Sequence, residues 1–283
     1  MKLKEQINFI FEKYNFFPRK SLSQNFLIDP KILSRLIEEI NLKGQDLVLE
    51  IGAGTGILTS ELASRARKVW AVEIDEKLCE ILKEELAESS NLEIICADVT
   101  KLCLEKFFPQ GKKIKVVGNL PYHIASWLML ELARKYWVDH MVFTIQREVA
   151  EKITASPGSK KRGMLTVLLT YYADVEKVID IPPQAFYPSP KIGSTVVKIR
   201  PNKKLLARNE RIFMQTVRAA FASRRKTLLN ALTRGLGMSR ENTSRILIKA
   251  KIPENKRAEQ LKLEDFIRLS NLIEEGKVAS SSC

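Results

Sequence analysis

The stretch VLEIGAGTGILTSELA, residues 48–63, decides the fold. An apolar run through Val48, Leu49 and Ile51 stops at Gly52, and glycine recurs at 54 and 56 before apolar residues resume at helical spacing. Glycine tolerates positive φ and lets a ligand approach the main chain, so the pattern predicts a buried strand, a tight turn and a helix start. In a parallel sheet such a turn lies at the carboxyl edge of the strands, where ligands bind. The spacing is G-x-G-x-G behind Glu50, and it departs from the G-x-G-x-x-G of dinucleotide sites.

Working outward, short apolar runs alternate with amphipathic stretches. DLVLEIG (46–52), KVWAVEID (68–75), LEIIC (92–96), IKVVGN (114–119) and DHMVFTIQ (139–146) read as strands, and DEKLCEILKEELAE (75–88) reads as a helix between two of them. Strand–helix–strand repetition implies parallel pairing with helices on both faces, an α/β fold. After Pro157 the basic loop SPGSKKRG leads into an apolar helix, MLTVLLTYYA. Two more strand candidates, VEKVIDI (175–181) and STVVKIR (194–200), flank PPQAFYPSPKIG, which is too proline-rich for regular structure. Beyond Pro201 every signal is helical, including a continuous reading of RIFMQTVRAAFASRRKTLLNALTRG. The expected domains are 1–202, with an N-terminal extension over 1–20, and a basic helical domain over 203–277. Residues 278–283 read as a disordered tail.

The strand ends supply the chemistry. Glu73 stands nineteen residues after Gly54 at the end of the next strand, where a carboxylate can accept both hydroxyls of a ribose and would repel a 2′-phosphate. Asp98 closes the third strand, placed to meet an adenine amine. An adenosine-bearing ligand is therefore expected. The fourth strand ends in Asn119, Leu120, Pro121 and Tyr122, a set with no metal ligand, nucleophile or paired carboxylate. Two neutral acceptors, the Asn119 side-chain oxygen and a backbone carbonyl near Leu120, suit an exocyclic adenine amine whose lone pair must be freed from the ring. Pro121 fixes the turn, and Tyr122 offers a flat face to a base drawn out of its stack.

Composition narrows the class. Of 283 residues, 45% are hydrophobic and 28% charged, as in a packed soluble protein, and no apolar run is long enough to cross a bilayer. The N-terminal MKLKEQINFIFEKYNF carries Glu5 and Glu12 and no small-residue cleavage site, so a structural helix is expected there. Cys79, Cys96, Cys103 and Cys283 form no CxxC pair, and the only histidines are His123 and His140. Reduced thiols in a cytoplasmic protein, no disulfide scaffold and no metal are expected. The net charge is +14, and from Lys204 to Lys277 there are 17 Lys/Arg against 8 Asp/Glu, which favours a polyanionic partner.

Taken together, SLSQNFLIDP, LEIGAGTG, VEID, ADV, NLPY, QREVAEKITA, PPQAFYPSPKIGSTVVKI and FASRRKTLLNAL resemble the small-subunit ribosomal RNA adenine N6,N6-dimethyltransferase family, from about residue 19 to 275. That resemblance implies a Rossmann-like, class I S-adenosylmethionine-dependent methyltransferase sheet with a smaller C-terminal all-helical domain. It implies that Asn25 and Leu27 close over the cofactor, with Gly52, Gly54, Glu73, Asp98 and Asn119 completing its site. It also implies that Phe186 stacks on the face of the target base opposite Tyr122. The family's reaction puts two methyls on each of two adjacent adenines in the 3′-terminal hairpin of 16S rRNA, within the immature 30S subunit. Arg224, Arg225 and Lys226, splayed over a helix surface above a stripe of Phe221, Leu228, Leu229 and Leu232, read as RNA contacts. Lys160, Lys161 and Arg162 read as guides for the strand. Ser23 stands where the family has glycine, and His123 where asparagine is common. A monomer is expected. The competing readings are a large-subunit rRNA methylase, a binding protein that keeps the fold as an assembly or transcription factor, and, more distantly, a nicotinamide-dependent dehydrogenase.

Overall fold

The computed structural model describes residues 3–281 apart from 203–205 and 224, with backbone alone at 122–123 and 277–281. In chain order its first half holds α1 (Leu3–Lys13), β1 (Phe26–Leu27), α2 (Pro30–Ile40), β2 (Leu47–Ile51), α3 (Ile57–Ala63), β3 (Lys68–Glu73), α4 (Glu76–Glu85), β4 (Leu92–Cys96), β5 (Ile114–Asn119) and α5 (Tyr122–Ala133). The second half holds β6 (Val138–Gln146), α6 (Arg147–Ile153), α7 (Met164–Tyr172), β7 (Ala173–Ile181), β8 (Phe186–Tyr187), β9 (Ser194–Pro201), α8 (Glu210–Phe221), α9 (Leu228–Leu236), α10 (Arg240–Lys249) and α11 (Leu263–Ser281).

Seven strands form one sheet in the order β4-β3-β2-β5-β6-β9-β7, and β1 and β8 form a separate two-stranded ribbon. The five strands from β4 to β6 are parallel, whereas β9 runs antiparallel to β6. Their apolar side chains are nearly continuous, as parallel strands covered on both faces require: Val48, Leu49, Val69, Ala71, Val116 and Val142 are fully buried. The chain builds outward from β2 through β3 to β4, then returns to place β5 on the other side of β2. That reversal opens a crevice at the carboxyl ends of β2 and β5.

By internal contacts the chain divides into two units, residues 1–150 with 175–201, and residues 151–174 with 202–283. The single boundary expected at 202/203 is therefore corrected. The segment that carries α7 belongs with the C-terminal helices, because α7 packs on α8 and α11, with Tyr171 stacked on Phe213 at 4.1 Å. The continuous helix expected through FASRRKTLLNAL is also corrected. Helix α8 ends at Phe221, and α9 begins at Leu228 after a turn closed by Lys226 N–H on the Ser223 carbonyl (3.1 Å). Leu228, Leu229 and Leu232 are buried as predicted. At the far end, α11 runs to Ser281, past the fraying expected from 278, since no proline interrupts GKVASSS. Residues 282–283 lie outside the described chain.

Reduced thiols were expected throughout, but Cys79 and Cys96 are joined in a disulfide, with Cα atoms 5.8 Å apart. Helix α4 packs on β3 and β4, which brings Cys79 beside the strand end that Cys96 occupies opposite Glu73. A separation of seventeen residues gives no hint of that in sequence. Cys103 is free and exposed. Among the described residues no helix is long and apolar enough to cross a membrane, and no cluster of His, Cys, Asp and Glu could hold a metal.

Candidate active site

The site grows from the strand ends of the first unit. After Ile51 the backbone turns through Gly52 and Gly54 with φ of +78° and +60°. A Cβ on Gly52 would stand 3.2 Å from the Asn119 carbonyl oxygen, and one on Gly54 would stand 3.1 Å from the Phe26 ring. Side chains there would fill the crevice, so the glycines keep the main chain open to a ligand. The Gly54 N–H donates to Glu73 Oε2 (2.9 Å), while Glu73 Oε1 accepts from Ile74 N–H (2.9 Å) and Asp75 N–H (3.0 Å). Burial pushes the Glu73 carboxyl above its ordinary pKa, and these three N–H groups pull the other way. At the end of β4, Asp98 Oδ1 caps the following turn through Thr100 N–H (2.9 Å) and its hydroxyl (2.7 Å).

A clasp closes the crevice from the N-terminal side. Asp75, fully buried, receives Gln24 Nε2 at 2.7 Å, and Gln24 Oε1 in turn accepts from Arg19 N–H (2.7 Å). The antiparallel ribbon sets Phe26 opposite Tyr187 and Leu27 opposite Phe186. Finally, Asn119 Nδ2 donates to the Asn25 carbonyl at 2.9 Å. Gln24 and Asp75 were not singled out in sequence, although both lie within the quoted motifs SLSQNFLIDP and VEID. The signal available was their place beside Asn25 and Glu73.

Asn25, Gly52, Glu73, Asp98, Asn119 and Phe186 line one cavity of about 370 Å³. Gly54, Leu120 and Pro121 complete its wall, and Leu27 lines a smaller recess that shares Asn25, Gly52, Asn119 and Phe186. The sequence-predicted cofactor and catalytic residues are thus brought together except Tyr122, whose side chain, like that of His123, lies outside the described residues. The RNA-contact set does not hold together in the same way. Arg224 lies outside the described residues, and Arg225 and Lys226 are exposed in the turn between α8 and α9, not on a helix face. Lys160 is exposed, Lys161 pairs with Glu151 at 2.6 Å, and Arg162 is buried with Nη1 on the Ala155 carbonyl (2.9 Å). Arg162 therefore braces its own loop instead of presenting a free guanidinium to RNA. Burial lowers its pKa accordingly.

Two local features give measurable consequences. Ser23 adopts φ 54°, ψ 32°, the left-handed region, which explains why a glycine is expected there. Ser23→Gly should raise stability by about 0.5–1 kcal/mol, and thermal melts would register a rise of about 1–4 °C. Glu50, also on the recess wall, is buried with Oε2 unpartnered, and burial pushes its pKa up to about 8. A folded-state value above the unfolded one means stability is fully present below about pH 4.5 and declines as pH rises towards 8, by up to about 1.4 kcal/mol per unit. The neutral isostere Glu50→Gln should remove that slope. Its Tm should match wild type near pH 4 and exceed it at pH 8.

Residues 15–275 match the ribosomal RNA adenine dimethylase family. Proteins named ribosomal RNA small subunit methyltransferase A are similar in sequence. That of Alkaliphilus metalliredigens is 41% identical, covering 92% of this chain and 93% of its own. That of Bacillus mycoides is 39% identical, covering 93% and 94%. Among solved structures, a dimethyladenosine transferase from Plasmodium falciparum superposes with TM-score 0.74 at 28% identity, covering 89% of this chain and 98% of its own. The 23S rRNA methyltransferase ErmE gives 0.70 at 27%, covering 88% and 100%. The sheet order, the glycine turn and the cavity at the switch point define a Rossmann-like methyltransferase, a class in which S-adenosylmethionine use is general. Within that class, this chain belongs to the ribosomal RNA adenine dimethylase family, and it is an enzyme that methylates adenine in rRNA.

Proposed function

We propose that this chain transfers methyl groups from S-adenosylmethionine to N6 of two adjacent adenosines in the 3′-terminal hairpin loop of 16S rRNA. The substrate is the immature 30S subunit in the cytoplasm, and the enzyme acts as a monomer without metal. The observation that carries the reading is the hydrogen bond from Asn119 Nδ2 to the Asn25 carbonyl. A carbonyl can only accept, so the amide nitrogen is committed and the amide oxygen is left as an acceptor at the cavity wall.

Glycine turn, Glu73 and Asp98 fit an adenosine-bearing cofactor: a main chain cleared of Cβ atoms, a buried carboxylate at the end of β3, and an acid at the end of β4. When bound, that cofactor supplies an electrophilic methyl on a sulfonium. The chain's own part is to bind, orient and exclude. Asn119 Oδ1 and the Leu120 carbonyl take the two N6 hydrogens and free the nitrogen lone pair for attack. Pro121, whose carbonyl accepts from Ile124 and Ala125 N–H to start α5, fixes where that acceptor pair stands. Phe186 and Tyr122 hold the extruded base. The N6 proton would depart to water as the nitrogen takes the methyl, so the chain needs no charged base there. Lys160, Lys161, Arg225, Lys226 and Arg224 serve phosphate contacts, with Lys161 held by Glu151 until RNA displaces it.

A 23S rRNA methyltransferase shares this architecture, so the fold does not separate small- from large-subunit substrates. Relatives near 40% identity carrying the small-subunit name support the first. Incubating the protein with immature 30S and 50S particles and labelled S-adenosylmethionine, followed by nucleoside mass spectrometry and primer extension, tests it. Dimethyladenosine at adjacent positions near the 3′ end of 16S rRNA is expected. Label confined to 23S rRNA would move the assignment to the large subunit, and no label on either would favour a binding role.

A further inference from the structure

Helix α1 lines neither the cavity nor the recess, and Leu3–Tyr14 precede the residues that match the family. Its packing is specific. Ile7 and Ile10 are buried in a cluster with Phe16, Phe26, Leu78 and Ile81. Its end is fixed to α4, the helix that follows Glu73, by Lys13 on Glu84 and Glu85 (3.2 and 2.8 Å) and by the Tyr14 hydroxyl on Glu85 (2.7 Å).

Phe11 is the centre of this arrangement. Its ring lies 5.4 Å from Phe26 in an edge contact, 5.2 Å from Phe16 and 6.1 Å from Tyr187, with Lys4 Nζ 5.9 Å from the Tyr187 ring centre. Phe26 and Tyr187 are the paired residues of the β1–β8 ribbon. One neighbour of that pair is Leu27 opposite Phe186, and the other is Asn25, whose carbonyl orients Asn119. The Phe26 ring also reaches the glycine turn, lying 3.1 Å from the position a Gly54 Cβ would take. One ring on α1 thus bears on the cofactor clasp, the glycine turn and the base-facing aromatic.

We infer that α1, acting through Phe11, is a positioning element of the cofactor site, holding the β1–β8 ribbon against the glycine turn so that the clasp keeps its geometry. The inference rests on the cofactor assignment above. Coupling of this kind is reciprocal: if docked α1 tightens cofactor binding, bound cofactor must tighten α1 docking.

That reciprocity gives a test that needs no variant. Hydrogen exchange of the full-length protein, with and without S-adenosylhomocysteine, should show amides of Ile7–Lys13 slowed by about fivefold or more when ligand is bound. Unchanged exchange in protein shown by calorimetry to be saturated would overturn the proposal. In parallel, Phe11→Ala should weaken S-adenosylhomocysteine binding and raise KM for S-adenosylmethionine by about tenfold, with kcat at saturating cofactor within about twofold, while Phe11→Tyr should restore wild-type values. A folded Phe11→Ala protein with unaltered KM would also overturn it, and if that variant fails to fold, the exchange experiment decides alone. Absence of any binding heat in the wild-type protein would remove the cofactor assignment, and this inference with it.

Discussion

Asn119→Ala is expected to lower methyl transfer at saturating cofactor and RNA by about 10²–10³-fold, the loss typical when one preorganised partner of a developing charge is removed. The structure says why the effect should fall on chemistry and not on folding. The side chain is exposed at the cavity wall and packs in no core cluster, so its removal leaves no void. The hydrogen bond lost, to the Asn25 carbonyl, is worth about 1 kcal/mol and should cost a few-fold in cofactor affinity through the clasp. Asn119→Asp sharpens the test. It keeps shape and an acceptor oxygen, but it places a carboxylate against the Asn25 carbonyl with nothing to donate. Activity should therefore fall nearly as far as with alanine. Rates from single-turnover assays on 30S particles, with melting curves showing Tm within about 2 °C of wild type, check both. Turnover within tenfold of wild type in Asn119→Ala would sink the role assigned to the amide.

The parts of this molecule that are legible from sequence obey local rules. Buried parallel strands read as apolar runs, so IKVVGN coincides with β5, and LEIIC marks β4 although that edge strand is only partly covered. Glycines at left-handed positions announce the turn, and strand-end acids announce the cavity they line. What was not legible depends on approach between segments far apart in the chain. The ribbon of β1 and β8 joins Phe26 to Tyr187 and Leu27 to Phe186, positions 161 and 159 residues apart, and its β8 half lies in a segment whose prolines argued against any regular structure. The Cys79–Cys96 bond depends on how α4 lies on the sheet. Arg225 and Lys226 sit in residues of good helical propensity, yet Leu228 N–H turns to the Lys256 carbonyl (2.7 Å) and the helix breaks before them. Tertiary bonding outweighs propensity there. Arg162 shows the same limit for function. A basic run reads as an RNA contact until one member proves to be buried on a carbonyl of its own loop.

Gly118 is the sharpest case of a constraint hidden from sequence, and a Cβ there would meet the closest backbone contact among the glycines whose surroundings are described, so Gly118→Ala should strongly disturb folding. In the parallel register Gly118 faces Ile51, across the pair of strands where the strand order reverses. A Cβ there would lie 2.1 Å from the Ile51 carbonyl oxygen, 3.1 Å from its carbon and 3.3 Å from its nitrogen. All three are backbone atoms, so no rotamer change relieves the clash and β2 must part from β5. The loss should exceed about 3 kcal/mol, with Tm lowered by about 8 °C or more or the protein recovered only as aggregate. Gly44→Ala supplies the control, since nothing lies within 4 Å of the position its Cβ would take. It should be neutral to slightly stabilising, by less than about 1 kcal/mol. Because Gly118 immediately precedes Asn119, any soluble Gly118→Ala protein should also lose cofactor binding, as β5 carries the acceptor amide away from Gly52 and Asn25. Equal melting temperatures and equal cofactor affinities for the two alanine variants would show that the close contact of β2 with β5 does not hold the site together.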